Sequence, residues 1–347
     1  MNYSPLRYPG GKNKLAPFIA KICSDNSITE HFVEPYSGGA AVALFLLFEG
    51  FVKHITINDN DRSIYAFWSS VLYKTELFCE MIQNIPVTID EWKKQKEVQK
   101  NKENCDLLEL GFSTFFLNRT NRSGIIKGGV IGGINQSGQY KLDCRFNKGE
   151  LIKRIKSIAQ QRDNISLYND DALSLLDMDF IRYSNPNNML LYFDPPYYAK
   201  GQSLYTQYYK KDHHKIVCDK IKSLNNMNWI VSYDDADEIR LLYSDCKKIE
   251  YYINHTAFSA KQGKELIFLS PTILFDQSKN PPQYKFKKKI QYVETNAKKN
   301  GFLYEKLNKK TYLFMRVSNK ISTCPNPFRK TASFLEHLLP NGYHILS

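Results

Sequence analysis

The 347-residue chain lacks most of the features that would assign it to a common class. Its longest apolar run, Ala40 to Phe48, stops at Glu49, well short of the roughly 20 residues a membrane helix requires. The opening residues, MNYSPLRYPGGKNK, contain no apolar core, so neither a secretory leader nor a membrane association is expected. Seven cysteines are scattered without any CxxC pair, which excludes a zinc cluster and a disulfide framework and points to a reducing, cytoplasmic compartment. There is no GxGxxG, so a dinucleotide site is disfavoured. The PGGK at 9–12 is not a phosphate loop either. That motif needs Gly at position 6 and Ser or Thr at 13, where the chain has Leu6 and Asn13. No internal repeat is found, and no metal is implied.

What the chain does have is positive charge and aromatic rings. Lys and Arg number 48 against 35 Asp and Glu, a net +13, and aromatics make up 14% with 23 tyrosines. That mixture suits a partner carrying phosphates and flat bases, although a basic enzyme of another kind has the same composition. With 42% hydrophobic residues the chain is otherwise ordinary globular protein.

Periodicity organises it. HFVEP, a Tyr-Ser-Gly-Gly turn, AAVALFLLF and HITIND read as strand, turn, helix and strand, one βαβ unit. NISLYNDD, NMLLYFDPP, NWIVSYDD and KELIFLSP are further short strands, each ending in acidic or Gly/Pro turns. Such strands build an open α/β sheet with a ligand crevice along their C-terminal ends. From about 70 to 160 the texture is helical and charged, then Gly-rich, basic and hairpin-like. We therefore expect a sheet domain formed by 1–69 and 161–275, an inserted domain over 70–160, and a basic extension over 276–347. The extension has 14 Lys and Arg against 4 Asp and Glu, with strand-like FLYEKL and TYLFMRV.

The most specific chemical signal is LLYFDPPYY, 190–198. A buried strand ending in Asp194-Pro195-Pro196-Tyr197 offers the Asp194 side chain and the Pro195 carbonyl as two acceptors for one planar NH2 group, and Tyr197 as a stacking face. In FVEPYSGGAAV, Gly38 and Gly39 allow the backbone to approach a ligand closely, next to the acid Glu34. Asp59, about 20 residues on, stands where an acid commonly takes ribose hydroxyls. Asp61 competes for that role, and either could be a helix N-cap. At SLYNDDA, Asp170 and Asp171 suit an adenine amino group or cap the next helix equally well. His213 and His214 lie in a charged helical stretch and read as a solvated face. In the insert, Arg119, Asn121 and Arg122, followed by Asn135, Gln136 and Lys141, are residue types that pair with base edges. A solvated basic loop is the alternative for them.

Four of these segments, in this order, resemble the adenine-N6 DNA methyltransferases of the Dam-like (D12) family, over about residues 4–275. LRYPGGK (6–12) is similar to the family's N-terminal cofactor motif, FVEPYSGGAAV (32–42) to its S-adenosylmethionine loop, FFLNRTNRSGI (115–125) to its DNA-contacting insert, and LYFDPPYY to its catalytic motif. The resemblance implies a Rossmann-like S-adenosylmethionine-dependent methyltransferase sheet, mostly parallel with an antiparallel terminal hairpin, and a largely helical recognition insert. It implies cofactor contacts from Tyr8, Lys12, Glu34, Pro35, Ser37, Gly38, Gly39, Asp59, Asp171 and Asp194, with Lys12 on the cofactor's carboxylate. Many members have Trp where this chain has Tyr8. The expected activity is methylation of a flipped adenine in a specific site of double-stranded DNA, with a cognate restriction endonuclease as a candidate partner. The alternatives are methylation of another planar amine, in RNA or on a protein glutamine, and a catalytically silent DNA-binding homologue.

Overall fold

The computed structural model of the chain describes residues 3–7, 12–198, 211–255, 261–275, 303–307 and 310–314. At its centre is β1 (His31–Glu34), flanked in parallel by β2 (His54–Asn58) and β4 (Met189–Phe193). β3 (Ile165–Tyr168) extends the sheet beyond β2, and β5 (Asn228–Asp234) beyond β4. The antiparallel pair β7 (Lys261–Leu269) and β6 (Lys247–His255) completes seven strands in the order β3-β2-β1-β4-β5-β7-β6. This is the mostly parallel sheet with an antiparallel end that the sequence leads one to expect.

The strand runs are almost wholly apolar because both faces are covered. Successive side chains point to opposite faces, so Leu190 and Tyr192 enter one hydrophobic cluster while Leu191 and Phe193 enter the other. The first cluster is covered by α1 (Ala16–Asp25), α2 (Ala41–Phe48) and α3 (Arg62–Tyr73). The second is covered by α8 (Ala172–Leu175), α9 (Asp179–Arg182), α10 (Lys211–Lys222) and α11 (Asp237–Leu242).

Between β2 and β3 come α4 (Thr75–Asn84), α5 (Ile89–Lys100), α6 (Leu107–Thr120) and α7 (Lys148–Ala159), the helices of the expected insert. Their phenylalanines join the first cluster. Phe115 stacks on Phe67 of α3 at 6.1 Å, and Phe78 and Phe146 meet it edge-on at 5.7 and 5.5 Å. Gly111 of α6 makes this close approach to α3 possible, since a Cβ there would lie 2.4 Å from the Ala66 carbonyl oxygen. The chain divides into two compact units, 1–286 and 287–347, and these helices belong to the same unit as the sheet. In the second unit β8 (Leu303–Leu307) and β9 (Lys310–Phe314) form an antiparallel pair, matching the strand-like pieces read there.

The Gly-rich stretch after α6 is not the hairpin its composition suggests. Among the described residues it is a series of turns, with one isolated bridge between Asn121 and Val130. Ser123, Gly124, Gly132, Gly133 and Gln136 all have positive φ, which interrupts any ladder. The Gln136 side chain holds the turns together, donating to the Ile131 and Gly133 carbonyls and accepting from the Leu142 N–H.

Candidate active site

The strand order reverses between β1 and β4, and the crevice at such a switch point is where an open α/β sheet binds its ligand. Val33 pairs with Leu191 across this junction, so both strands end here, and the Asp194 charge reaches Glu34. After Glu34 the chain must turn at once into α2. Gly38 (φ 45°) and Ala40 (φ 47°) take left-handed backbone to do so, and the Trp68 indole N–H fixes the Gly38 carbonyl at 2.9 Å. Ala40 adopts this conformation without the glycine that usually supplies it.

Around Asp194 lies a buried network that joins distant parts of the chain. Its Oδ1 accepts from the Lys12 ammonium at 2.8 Å and from the Ser232 hydroxyl at 2.7 Å. Ser232, on β5, also shares a 2.8 Å hydrogen bond with the Tyr192 hydroxyl. Lys12 lies 3.4 Å from Glu265 of β7 and 3.2 Å from the Tyr197 hydroxyl, which donates in turn to Glu265. Both ordering contacts fall on Oδ1, so Oδ2 of Asp194, on a side chain 20% exposed, has no partner among the described residues. Tyr197 is buried, with the Lys12 ammonium 4.9 Å from its ring centroid, so the stacking face read from the sequence is turned into this network.

Two carboxylates, Asp194 and Glu265, therefore share one lysine, and Glu34 lies within reach of the Asp194 charge. Burial pushes Asp194 up, against the pull of Lys12. Burial, and then the neighbouring Asp194 charge, push Glu34 well above the usual carboxylate range. The buried Glu34 Oε2 and Ser37 Oγ have no hydrogen-bond partner among the described residues, an arrangement that costs energy until a ligand supplies one.

Further along the same edge, Asp59 accepts from the Gly38 and Asp61 N–H groups, each at 2.9 Å. Burial first, then the Asp61 charge, raises its carboxyl to about 7. Asp61 caps α3 through the Ser63 N–H and pairs with Lys102 at 3.3 Å, so of the two candidates Asp59 is the one at the glycine loop. Asp171 is exposed and caps α8 by accepting the Leu173 N–H. Pro35, Ser37, Gly38 and Gly39 are all buried around this turn, and Tyr8 lies outside the described residues.

The proposed base-contacting residues divide. Asn121 is fully buried, accepting from the Trp92 indole and donating to the Ile125 and Ile126 carbonyls. It shapes the turn after α6 and does not face a groove. Gln136 is likewise used internally. Arg122, Asn135 and Lys141 are exposed, and Lys141 donates to the Gln136 carbonyl. Arg119 is half-buried and donates to two backbone carbonyls. His214 corrects another expectation: it is 1% exposed, with Nδ1 3.0 Å from the Tyr233 hydroxyl, and burial lowers its imidazole to about 4. His213 alone is on the solvated face.

Three residues of this site went unread in the sequence. Ser232 and Glu265 each interrupt an otherwise apolar strand, WIVSY and ELIFL, and that interruption was the available signal. Asn58 is 0% exposed. It donates to the Pro35 and Asp170 carbonyls and accepts from the Asp170 N–H, tying the ends of β1 and β3 to β2.

With the geometry in place, comparison with known proteins decides the family. The model of the D12 class N6 adenine-specific DNA methyltransferases matches residues 8–260. The chain belongs to that family. It is also similar to the Type II methyltransferase M.MjaIII of Methanocaldococcus jannaschii, 25% identical over 225 residues that cover 60% of this chain and 73% of that protein. Among solved structures, the rRNA methyltransferase aviRa of Streptomyces viridochromogenes is 9% identical with a TM-score of 0.29, covering 73% of this chain and 84% of that one. Sp1610 of Streptococcus pneumoniae is 8% identical with a TM-score of 0.31, covering 81% and 84%. Likenesses at that level say nothing of function. Among the described residues no helix is long and apolar enough to cross a membrane.

Proposed function

We propose that this D12-family chain transfers the methyl group of S-adenosylmethionine to N6 of an adenine flipped out of a specific duplex DNA site. The observation that carries the reading is the end of β4 at the switch point of the sheet, where Lys12 and Ser232 hold Asp194 through Oδ1 and leave Oδ2 open, with Pro195 next in the chain. The residues present fit the cofactor. Glu34, Asp59 and Asp194 form an acidic edge suited to a cationic ligand, and Glu34 Oε2 and Ser37 Oγ are buried acceptors without partners among the described residues. Glu34, Ser37, the Gly38–Gly39 turn and Asp59 would hold it, with Asp171 at the far end. When bound, S-adenosylmethionine supplies a methyl group already activated on a sulfonium.

The protein's own part is positional. Lys12 and Ser232 fix Asp194 through Oδ1, which aims Oδ2 at the amine. Oδ2 and the Pro195 carbonyl then accept the two N6 hydrogens and orient the nitrogen, an effect that depends on alignment more than on force. The raised affinity of Asp194 for protons makes Oδ2 the place for the proton that the methylated nitrogen must lose. An N6 inside the stack cannot reach Oδ2, which is why the base must flip.

A cognate restriction endonuclease of the same specificity, acting with this chain in the cytoplasm, is part of the same proposal. The test is single-turnover methylation of duplex DNA by wild type and Asp194→Ala, with cofactor affinity followed by calorimetry. Asp194→Ala should lose methylation to a far greater extent than cofactor affinity, and near-normal turnover by that variant would defeat the assignment. Methylation of RNA in preference to duplex DNA would favour the other planar-amine reading. Sequencing modified adenines from cells with and without the chain would identify the site.

A further inference from the structure

The segment 4–7 lies against the end of α6 and the start of α7, and there the structure gathers arginines. Arg119, on the last turn of α6, donates from Nε to the Arg145 carbonyl at 2.8 Å and from Nη1 to the Pro5 carbonyl at 3.3 Å. Arg154, on α7, lies with Nη1 3.4 Å from the Ser4 carbonyl. Arg7 donates from Nη1 to the Asn121 carbonyl at 3.3 Å. Among the described residues none of the four has a carboxylate at ion-pair distance, although Arg7, Arg119 and Arg154 are half-buried. Neutral carbonyls orient the Arg7, Arg119 and Arg154 guanidinium groups without cancelling their charge.

Like charges held together this way repel. Burial first, and then Arg7, Arg154 and Arg145 in turn, lower the Arg119 guanidinium to about 10. Burial and Arg145 likewise lower Arg7. Such a cluster is poised for an anion with several oxygens, the partner that arginine forks match best.

We propose that Arg7, Arg119, Arg145 and Arg154 form a seat for a backbone phosphate of the DNA duplex, placed close to the target adenine. The assignment rests on the duplex-DNA reading above. The covalent chain limits its distance from the chemistry. Arg7 is five residues from Lys12, which touches Asp194, so the two Cα atoms are at most about 18 Å apart. The seat fixes register and carries no sequence information.

Arg145→Gln combined with Arg154→Gln tests this, because Arg154 makes one long bond, to the Ser4 carbonyl at 3.4 Å, where Arg119 makes two. Affinity for specific and random duplexes should fall alike, at least tenfold. The slope of log affinity against log salt should flatten by about 0.9 for each phosphate that is no longer neutralised. Cofactor affinity measured on the same samples should equal that of wild type, and Arg145→Lys with Arg154→Lys should keep most of the slope. An independent reading needs no variant. Cys144, exposed and beside Arg7 and Arg119, should be shielded from alkylation by a duplex in the wild-type protein, as mapped by mass spectrometry. An unaltered salt slope, or Cys144 alkylated equally with and without duplex, would overturn the seat. A loss confined to one sequence would overturn it too, since it would mean these arginines read bases. All of these measurements read binding without turnover. Wild type that binds and protects but methylates no adenine would instead count against the catalytic reading.

Discussion

Two charged regions stand at opposite ends of one short segment. At Lys12, one cation is shared by Asp194 and Glu265, with Glu34 next to Asp194, at the C-terminal edge of the sheet. At Arg7, four guanidinium groups face no carboxylate among the described residues. Each region has an imbalance that a ligand of the opposite sign would relieve. The negative edge suits the sulfonium and amine of a methyl donor, and the positive seat suits a polyanion. The two differ in how they are held. The acidic edge is fixed by charge-assisted bonds between side chains, whereas the arginine region is fixed by bonds to backbone. The Asn118 amide accepts the Arg7 N–H at 2.7 Å and donates to the Arg7 and Gly124 carbonyls at 2.9 Å each. DNA affinity should therefore tolerate side-chain changes one at a time, while the acidic edge should not.

Breaking the acidic edge has the largest expected effect. Lys12→Met leaves Asp194 and Glu265 buried without their cation, and removing one partner of a buried pair costs about 3–5 kcal/mol. Denaturant unfolding at neutral pH should show that loss. The pH dependence gives the sign. Asp194 already binds its proton more tightly folded than unfolded, and losing Lys12 strengthens that preference. The variant's stability should be greatest below the unfolded carboxylate range, near 3.9, and fall as pH rises. Its deficit against wild type should therefore narrow in acid, and a constant deficit across pH would show that Lys12 acts through packing.

Next in size is the attachment of Arg7. Gly124 has φ +76°, and a Cβ there would lie 2.0 Å from the Arg7 carbonyl oxygen. Gly124→Ala forces either the turn or the segment to move, at about 1–3 kcal/mol of strain. Because it displaces Arg7 without touching the sheet, duplex affinity should fall several-fold while calorimetric cofactor affinity holds. Loss of both together would mean that the segment transmits the disturbance as far as Lys12.

These cases show what a sequence can reveal here. The end of β4 was legible because Asp-Pro-Pro-Tyr after a buried run has few other uses, and the β1 turn because paired glycines must relax backbone. Ser232 and Glu265 were not, since their roles arise from pairing β5 with β7 across the sheet, with Asp234 opposite Glu265 in the register. Local spacing carries no trace of that. Asn121 misled for a related reason. An amide beside two arginines is chemically right for a base edge, and only the fold shows its three hydrogen bonds already made. His214 sits in a charged stretch, yet its helical position turns it inward onto Tyr233.

A subtler test of the negative edge is pH. Asp59 binds its proton up to about 7, chiefly because it is buried. As an ionised acceptor it should hold ribose hydroxyls better than as an acid, so cofactor affinity should strengthen between about pH 6 and 8, a unit either side of that midpoint. Asp59→Asn should remove the dependence and lower affinity about tenfold at the upper end, the weight of a charge-assisted hydrogen bond. Asp61→Asn should only move the midpoint down, because its charge helps raise Asp59. If instead it lowers affinity at about pH 8 as much as Asp59→Asn does, the ribose contact belongs to the capping acid.

The smallest effect should come from the other basic region, the extension that holds most of the excess charge. Lys287, Lys288 and Lys289 lie outside the described residues, but their chemistry contrasts with the arginine seat. Lysine is a compact charge on a long flexible stem, and fixing it against a phosphate costs rotamer entropy that a prearranged guanidinium has largely given up already. Changing all three to Gln should weaken binding to specific and random duplexes equally and flatten the salt slope, by less per residue than the two arginine changes do. The methylated sequence should not change. A larger loss from the lysines than from Arg145 and Arg154 would reverse the comparison and make the extension the principal phosphate contact. An unaltered slope would show that the three lysines face solvent and that the arginine seat carries the contact without them.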